Sequence, residues 1–174
     1  MNIKEKIATA DNFPKPGVKF LDVTTILEDA DAFNYTVDWF ASIVDIYNIQ
    51  SIVAVDARGF IWGGAVAAKK SIPLYLARKT GKLPGGTAEV EYNTEYSTAR
   101  IALKLQQKIK GPVLVIDDII ATGGTLNAIG TLLSDVWKIS AGDQVYSGIV
   151  DLSFLGGKEK LLSQGYKVTS LATY

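Results

Sequence analysis

The chain has neither cysteine nor histidine among its 174 residues. Their absence removes disulfides, thiolate nucleophiles, the usual zinc ligand sets and every catalytic triad built on an imidazole. Proton chemistry is left to carboxylates, lysine or tyrosine. An excess of charge is missing as well, with 18 Lys and Arg against 18 Asp and Glu. Without a general positive field the composition argues against nucleic acid or an acidic membrane as partner, so any anion must be held locally. Long apolar runs are also absent. The segment Met1-Asn2-Ile3-Lys4-Glu5-Lys6-Ile7 has no apolar stretch of the kind a leader needs, and the apolar region from Ser51 to Ala68 is broken by Asp56 and Arg58. The expectation is a soluble, cytoplasmic protein. Two nucleotide fingerprints are missing too, Gly-x-x-x-x-Gly-Lys-Ser/Thr and Gly-x-Gly-x-x-Gly, which weakens ATPase and dinucleotide readings.

What is present suits one well-buried core. A 48% hydrophobic chain of this length fits a single domain spanning residues 1–174. Phe33, Val37, Phe40, Val44 and Tyr47 recur at steps of four and three, which predicts a helix with one apolar face and Asp29 or Asp31 at its start. Ser51-Ile52-Val53-Ala54-Val55 is short, β-branched and continuously apolar, as expected of a strand covered on both faces. The same pattern returns at Ile72–Ala77, Val113–Ile116 and Val145–Val150, with helical segments at Gly59–Lys69 and Leu126–Val136. Strands alternating with helices predict an α/β fold with a mostly parallel, doubly wound sheet, whose sites lie beyond the carboxyl ends of the strands. Residues 78–98 are polar and rich in Gly, Thr, Glu and Tyr without strong periodicity, so a structureless lid is expected there.

The segment Val113 to Thr125 carries the clearest chemistry. A buried strand runs into Asp117 and Asp118, then Ile119-Ile120, then Ala121-Thr122-Gly123-Gly124-Thr125, and then a helix. The glycines let backbone amides approach a ligand, Thr122 and Thr125 offer hydroxyl donors, and a helix N-terminus favours negative charge. Such a loop suits a phosphate. Asp117 and Asp118 would repel a phosphate but suit ribose hydroxyls, which donate hydrogen bonds to carboxylates. Acids joined to an anion loop imply a sugar phosphate. At another strand end, Asp56-Ala57-Arg58-Gly59 can present amides and a guanidinium, and Arg78, Lys79 and Lys82 add cations suited to a diphosphate.

The thirteen-residue segment resembles the phosphoribosyl pyrophosphate signature of the type I phosphoribosyltransferases. Within that family the chain is similar to the adenine-salvage branch. Phe13-Pro14-Lys15-Pro16-Gly17-Val18-Lys19-Phe20 resembles its base-covering segment, and Val55–Phe60 its pyrophosphate loop. Arg78–Gly85 and Glu91–Tyr96 resemble its mobile loop, and Val150–Leu161 continues the match. The chain departs from the common pattern at Leu21, where an Arg is usual, at Ser97 in place of a Gly, and at Asp151 in place of a Glu.

The resemblance implies a type I phosphoribosyltransferase fold with a small N-terminal hood over residues 1–27 and a flexible lid loop over residues 78–98. It implies Mg2+-dependent transfer of the phosphoribosyl group from phosphoribosyl pyrophosphate to adenine, giving AMP and pyrophosphate. Asp117 and Asp118 would hold the ribose, and Ala121, Thr122, Gly123, Gly124 and Thr125 the 5′-phosphate. Asp56, Ala57, Arg58, Gly59, Arg78, Lys79 and Lys82 would hold pyrophosphate. Val18, Lys19 and Phe20 would take adenine, and Glu95 would act as general acid or base near purine N7. The resemblance places Mg2+ mainly on substrate oxygens, with no dedicated protein ligands, and implies a homodimer. Two alternatives stay open: a phosphoribosyltransferase for another purine base, and a non-catalytic regulator that binds phosphoribosyl pyrophosphate.

Overall fold

In the computed structural model, residues 1–13, 15–17, 19–93 and 98–174 are described, Asn93 by its backbone alone. The chain opens with a 3-10 turn at Ile3–Lys6 and a small antiparallel pair, β1 (Ala8–Asp11) and β2 (Lys19–Asp22). A second 3-10 turn, Val23–Glu28, leads into α1 (Ala30–Ile46). Of the two expected caps, Asp29 takes the role, its carboxylate accepting from the amides of Asp31 at 3.0 Å and Ala32 at 3.1 Å. Lys6 reaches the other oxygen of the same carboxylate at 2.7 Å, tying the N-terminal turn to the helix.

The central elements follow as β3 (Ser51–Val55), α2 (Gly59–Lys70), β4 (Leu74–Lys79), β5 (Thr87–Asn93) and β6 (Thr98–Lys104). Next come β7 (Val113–Ile116), the short β8 (Ile119–Ile120), α3 (Gly124–Asp135), β9 (Gln144–Asp151), α4 (Gly157–Ser163) and β10 (Lys167–Thr173). Among the described residues the main sheet runs β10-β9-β7-β3-β4-β6-β5, with β8 alongside β9. From β10 to β4 every pairing is parallel, whereas β6 joins β4 and β5 antiparallel. This is the expected mostly parallel α/β fold. No helix among the described residues is long and apolar enough to cross a membrane.

The period-two pattern of the central strands divides the core. Ile52, Leu114 and Ile116 point into a cluster with Phe40 and Val44 of α1 and Trp62 and Val66 of α2. Val53, Val55, Val113 and Val115 point the other way, against Leu126, Ile129 and Leu133 of α3. A strand buried on both faces has no polar side, which is why these segments read as unbroken apolar runs. The hood's Ile3, Ile7, Leu21 and Val23 belong to the first cluster, so the N-terminal segment is packed on the sheet.

Two expectations need correction. The strand expected at Ile72–Ala77 lies at Leu74–Lys79, because β6 pairs with Arg78 and Lys79 and carries β4 past its apolar run. Residues 78–98 are also not structureless, since Thr87–Asn93 form β5. Ala88 is buried and Val90 and Tyr92 half-buried, while Glu89 and Glu91 are exposed, and Arg100 of β6 meets Glu91 at 2.9 Å. The alternation is that of a half-buried strand, disguised in sequence by small Ala88 and by charges on the open face.

Behind the sheet a fully buried amide is satisfied on both ends. Gln144 Nε2 donates to the Ile139 carbonyl at 2.9 Å and to Ser134 Oγ at 3.0 Å, and its Oε1 accepts the Tyr146 hydroxyl at 2.6 Å. Burial holds the Tyr146 phenol well above its usual pKa, so it remains a donor. Tyr146→Phe should lower stability by about 1–3 kcal/mol, since the Gln144 oxygen would be left without its donor in a dry core. Urea denaturation checks this through a lower midpoint at unchanged slope, and an unchanged midpoint would show that the bond contributes nothing.

Candidate active site

Parallel strands β3 and β7 end side by side, and the chain turns there into two loops that face each other. Past β3 come Asp56, Ala57 and Arg58, with the peptide between Asp56 and Ala57 cis, before α2 starts at Gly59. A Cβ at Gly59 would lie 2.5 Å from the Ile116 carbonyl oxygen and 3.4 Å from Asp117 Cα, so only glycine lets the two loops approach this closely. The approach brings Arg58 to Asp118, and the guanidinium Nε donates to the Asp118 carboxylate. Burial disfavours the Arg58 charge, but the hydrogen bond and charge of Asp118 outweigh it and raise its pKa.

The two acids are differently placed. Asp118 is 4% exposed, and its backbone carbonyl accepts from both Ile149 at 2.9 Å and Val150 at 3.1 Å of β9. Asp117 keeps a side open to the cleft, and its Oδ1 accepts the Asp118 amide at 2.9 Å. Burial, and then the neighbouring Asp118 charge, push the Asp117 carboxyl well above the usual carboxylate range.

After β8 the chain forms the anion loop. Gly123 takes a left-handed conformation (φ 73°) and caps α3, whose first-turn amides have no intrahelical acceptors. Thr122, Gly123, Gly124 and Thr125 line a depression of about 60 Å³ together with Asp117. Gly157, at the start of α4, seats this loop from behind. A Cβ there would overlap the Ala121 carbonyl and lie 2.7 Å from the Gly123 nitrogen.

These parts open on one cleft of about 1050 Å³. Apart from Lys19, its charged lining comes from Asp56, Arg58, Lys79, Lys82, Asp117 and Asp118, and Ala57, Ala121 and Thr125 line it too. The hood contributes Gly17, Lys19, Phe20 and Leu21. Phe20 is backed by Phe13, edge-on at 5.1 Å between ring centroids. Arg78, not itself in that lining, binds two of its members. Its Nε donates to Asp56 Oδ2 at 3.3 Å and its Nη1 to the Lys82 carbonyl at 3.2 Å, bracing the Asp56 loop and the Lys82 turn. Val18 and Glu95 lie outside the described residues.

Sequence reasoning assigned no role to Ile119, Leu152, Phe154, Leu155 and Tyr174, yet all five line the cleft. Ile119 lies within the signature segment itself. The others follow β9 and β10, whose carboxyl ends reach the same edge as β3 and β7. The strand-end rule that found Asp117 would have pointed to the residues after Val150 as well.

Comparison with known proteins agrees with this fold. Residues 24–136 match the phosphoribosyl transferase domain family. The adenine phosphoribosyltransferase of Clostridium botulinum strain Loch Maree is 39% identical, covering 100% of this chain and 99% of the relative. That of Marinobacter nauticus is 40% identical, covering 99% and 95%. Among solved structures, the enzyme of Thermoanaerobacter pseudethanolicus superposes with a TM-score of 0.87 at 34% identity, over 99% of this chain and 98% of that one. Giardia lamblia adenine phosphoribosyltransferase, complexed with 9-deazaadenine, gives 0.89 at 27% identity, over 99% and 96%.

The raised Asp117 carboxyl has a thermodynamic consequence. A carboxyl whose folded pKa exceeds its unfolded value holds its proton more tightly in the native state, so stability falls as pH rises from the ordinary carboxylate range through the raised value. Asp117→Asn should therefore raise the melting temperature at neutral pH, with the gain vanishing below about pH 4. Calorimetric melting across this range checks the claim, and a gain that does not depend on pH would contradict it.

Proposed function

The chain belongs to the adenine phosphoribosyltransferase family, and from that premise we propose how its own residues join adenine to the ribose of phosphoribosyl pyrophosphate, giving AMP and pyrophosphate. One observation carries the reading: the strand-end acids, the anion loop and the cations of two further loops converge on a single cleft.

In this account Asp117 and Asp118 accept hydrogen bonds from the ribose hydroxyls, which requires Asp118 to exchange Arg58 for substrate. The released guanidinium, with Lys79 and Lys82, binds the diphosphate and offsets the charge that grows on it as it leaves. Residues Ala121 to Thr125 hold the 5′-phosphate through amides and hydroxyls at the start of α3. Purine N9 then displaces pyrophosphate at the anomeric carbon, bond breaking running ahead of bond making. Lys19 and Phe20, with Val18, take the base. Arg78 contributes indirectly, by fixing Asp56 and the Lys82 turn.

Asp117 and Asp118 offer carboxyl oxygens to the cleft. Hard oxygen donors of this kind suit Mg2+, which would be carried mainly on substrate oxygens and would keep several waters. When bound, the ion neutralises the departing pyrophosphate. We further propose that Glu95 serves as the general acid or base at the purine, that the chain works as a homodimer, and that it acts in the cytoplasm.

The direct test is a steady-state panel of adenine, hypoxanthine, guanine and xanthine with phosphoribosyl pyrophosphate and Mg2+. Adenine should be the preferred acceptor. Preference for another base would trace to the hood, where Leu21 stands, and ligand binding without turnover of any base would mark a regulator. Glu95→Gln should lower kcat by about 10²-fold while leaving phosphoribosyl pyrophosphate binding intact. An unchanged kcat would remove Glu95 from the mechanism.

A further inference from the structure

The cleft is divided in its chemistry. Apart from Lys19, its charged groups come from the ends of β3 and β7 and from the chain at Lys79 and Lys82, while its large apolar side chains, Ile119 apart, come from the hood and from the segments after β9 and β10. A planar, uncharged base belongs at the apolar end, because charged groups would have to be desolvated to pack against it.

Tyr174 lines this end beside Leu152 and Leu155, and it is held unusually firmly for a residue past an edge strand. Its amide donates to the Asp151 carbonyl at 2.9 Å, and its own carbonyl accepts from the Ser153 amide at 3.0 Å and from Ser153 Oγ at 2.7 Å. Lys4 completes the arrangement. Its ammonium lies 4.8 Å from the Tyr174 ring centroid and donates to the Thr173 carbonyl at 2.5 Å. Lys4 sits in the turn that begins the hood, directly after buried Ile3, so the wall formed by Tyr174 and the hood that carries Phe20 and Leu21 are fastened together. Burial raises the phenol's pKa further above an ordinary value that already leaves the ring neutral at physiological pH.

We propose that Tyr174 is a base-binding residue: its ring forms a fixed wall of the compartment for the heteroaromatic base, and Lys4 positions that ring. The inference rests on the reading that the cleft takes phosphoribosyl pyrophosphate and a purine, and it adds a contact that none of the family motifs in the sequence contains.

The test separates the base from the sugar phosphate. Steady-state kinetics on the full chain would compare Tyr174→Ala, Tyr174→Phe and Lys4→Met with the wild type, and calorimetry would measure AMP and ribose 5-phosphate binding to each. Tyr174→Ala should raise the KM for adenine about five- to tenfold and weaken AMP similarly. The KM for phosphoribosyl pyrophosphate and the affinity for ribose 5-phosphate should stay within about twofold. Tyr174→Phe should restore wild-type values, and Lys4→Met should show a smaller shift of the same pattern. An unchanged adenine KM in Tyr174→Ala would overturn the proposal. So would equal weakening of both substrates, or loss of ribose 5-phosphate binding, which would mean that the ring only supports the fold. Failure of the wild type to bind ribose 5-phosphate would instead contradict the reaction itself.

Discussion

Asp118 is a carboxylate with 6% side-chain exposure at the mouth of the central sheet, and a charge so placed is tolerable only with a partner beside it. Arg58 is that partner, and much of the local architecture exists to bring it there. Parallel pairing of β3 with β7 sets the two loops side by side, Gly59 lets them close to near contact, and Asp56, braced by Arg78, holds the start of the Arg58 loop. In the proposed reading the same ion pair is what the substrate exchanges. Each member is held in place by a group that a ribosyl diphosphate can replace, hydroxyls on one side and phosphate oxygens on the other.

Stability and function pull against each other at this point. Asp117 is driven toward its neutral form by burial and by the charge of Asp118, so two adjacent acids at a strand end are a burden on the unliganded fold. In the proposed reading, ribose hydroxyls donating to these oxygens would relieve that burden. The anion loop shows the complementary strategy. It carries no net charge of its own, and it owes its shape to close backbone contact between Gly123 and Gly157, which brings α4 against the start of α3.

How much was legible in the sequence follows from how burial writes itself into residue order. Ser51–Val55 and Val113–Ile116 were found residue for residue, because a strand covered on both faces must be apolar throughout. The helix at Gly59 was found at its true start, since glycine at a strand end marks both the turn and the close approach. β5 was missed because its inward face uses small Ala88 and its outward face is charged. β10, with Thr169, Ser170 and Lys167 among its apolar residues, gives no strong period, and its place beside β9 is fixed by tertiary pairing. For the cleft lining, residues contiguous in one motif could be read together, as with those lying between Asp117 and Thr125. Walls assembled from separate strand ends, such as Tyr174 with Leu152, could not. The pairing of Arg78 with Asp56 was also hidden, because sequence shows two charges near a site but not that they meet.

The central claim is that Asp117 and Asp118 receive the ribose of a sugar phosphate. Titration calorimetry of phosphoribosyl pyrophosphate with Mg2+ into the Asp117→Asn, Asp118→Asn double variant tests it most directly. The account predicts a protein that melts cooperatively yet binds the ligand at least about tenfold more weakly than the wild type, because neutral amides are poorer acceptors for two ribose hydroxyls than carboxylates are. Wild-type affinity in that variant would contradict the account.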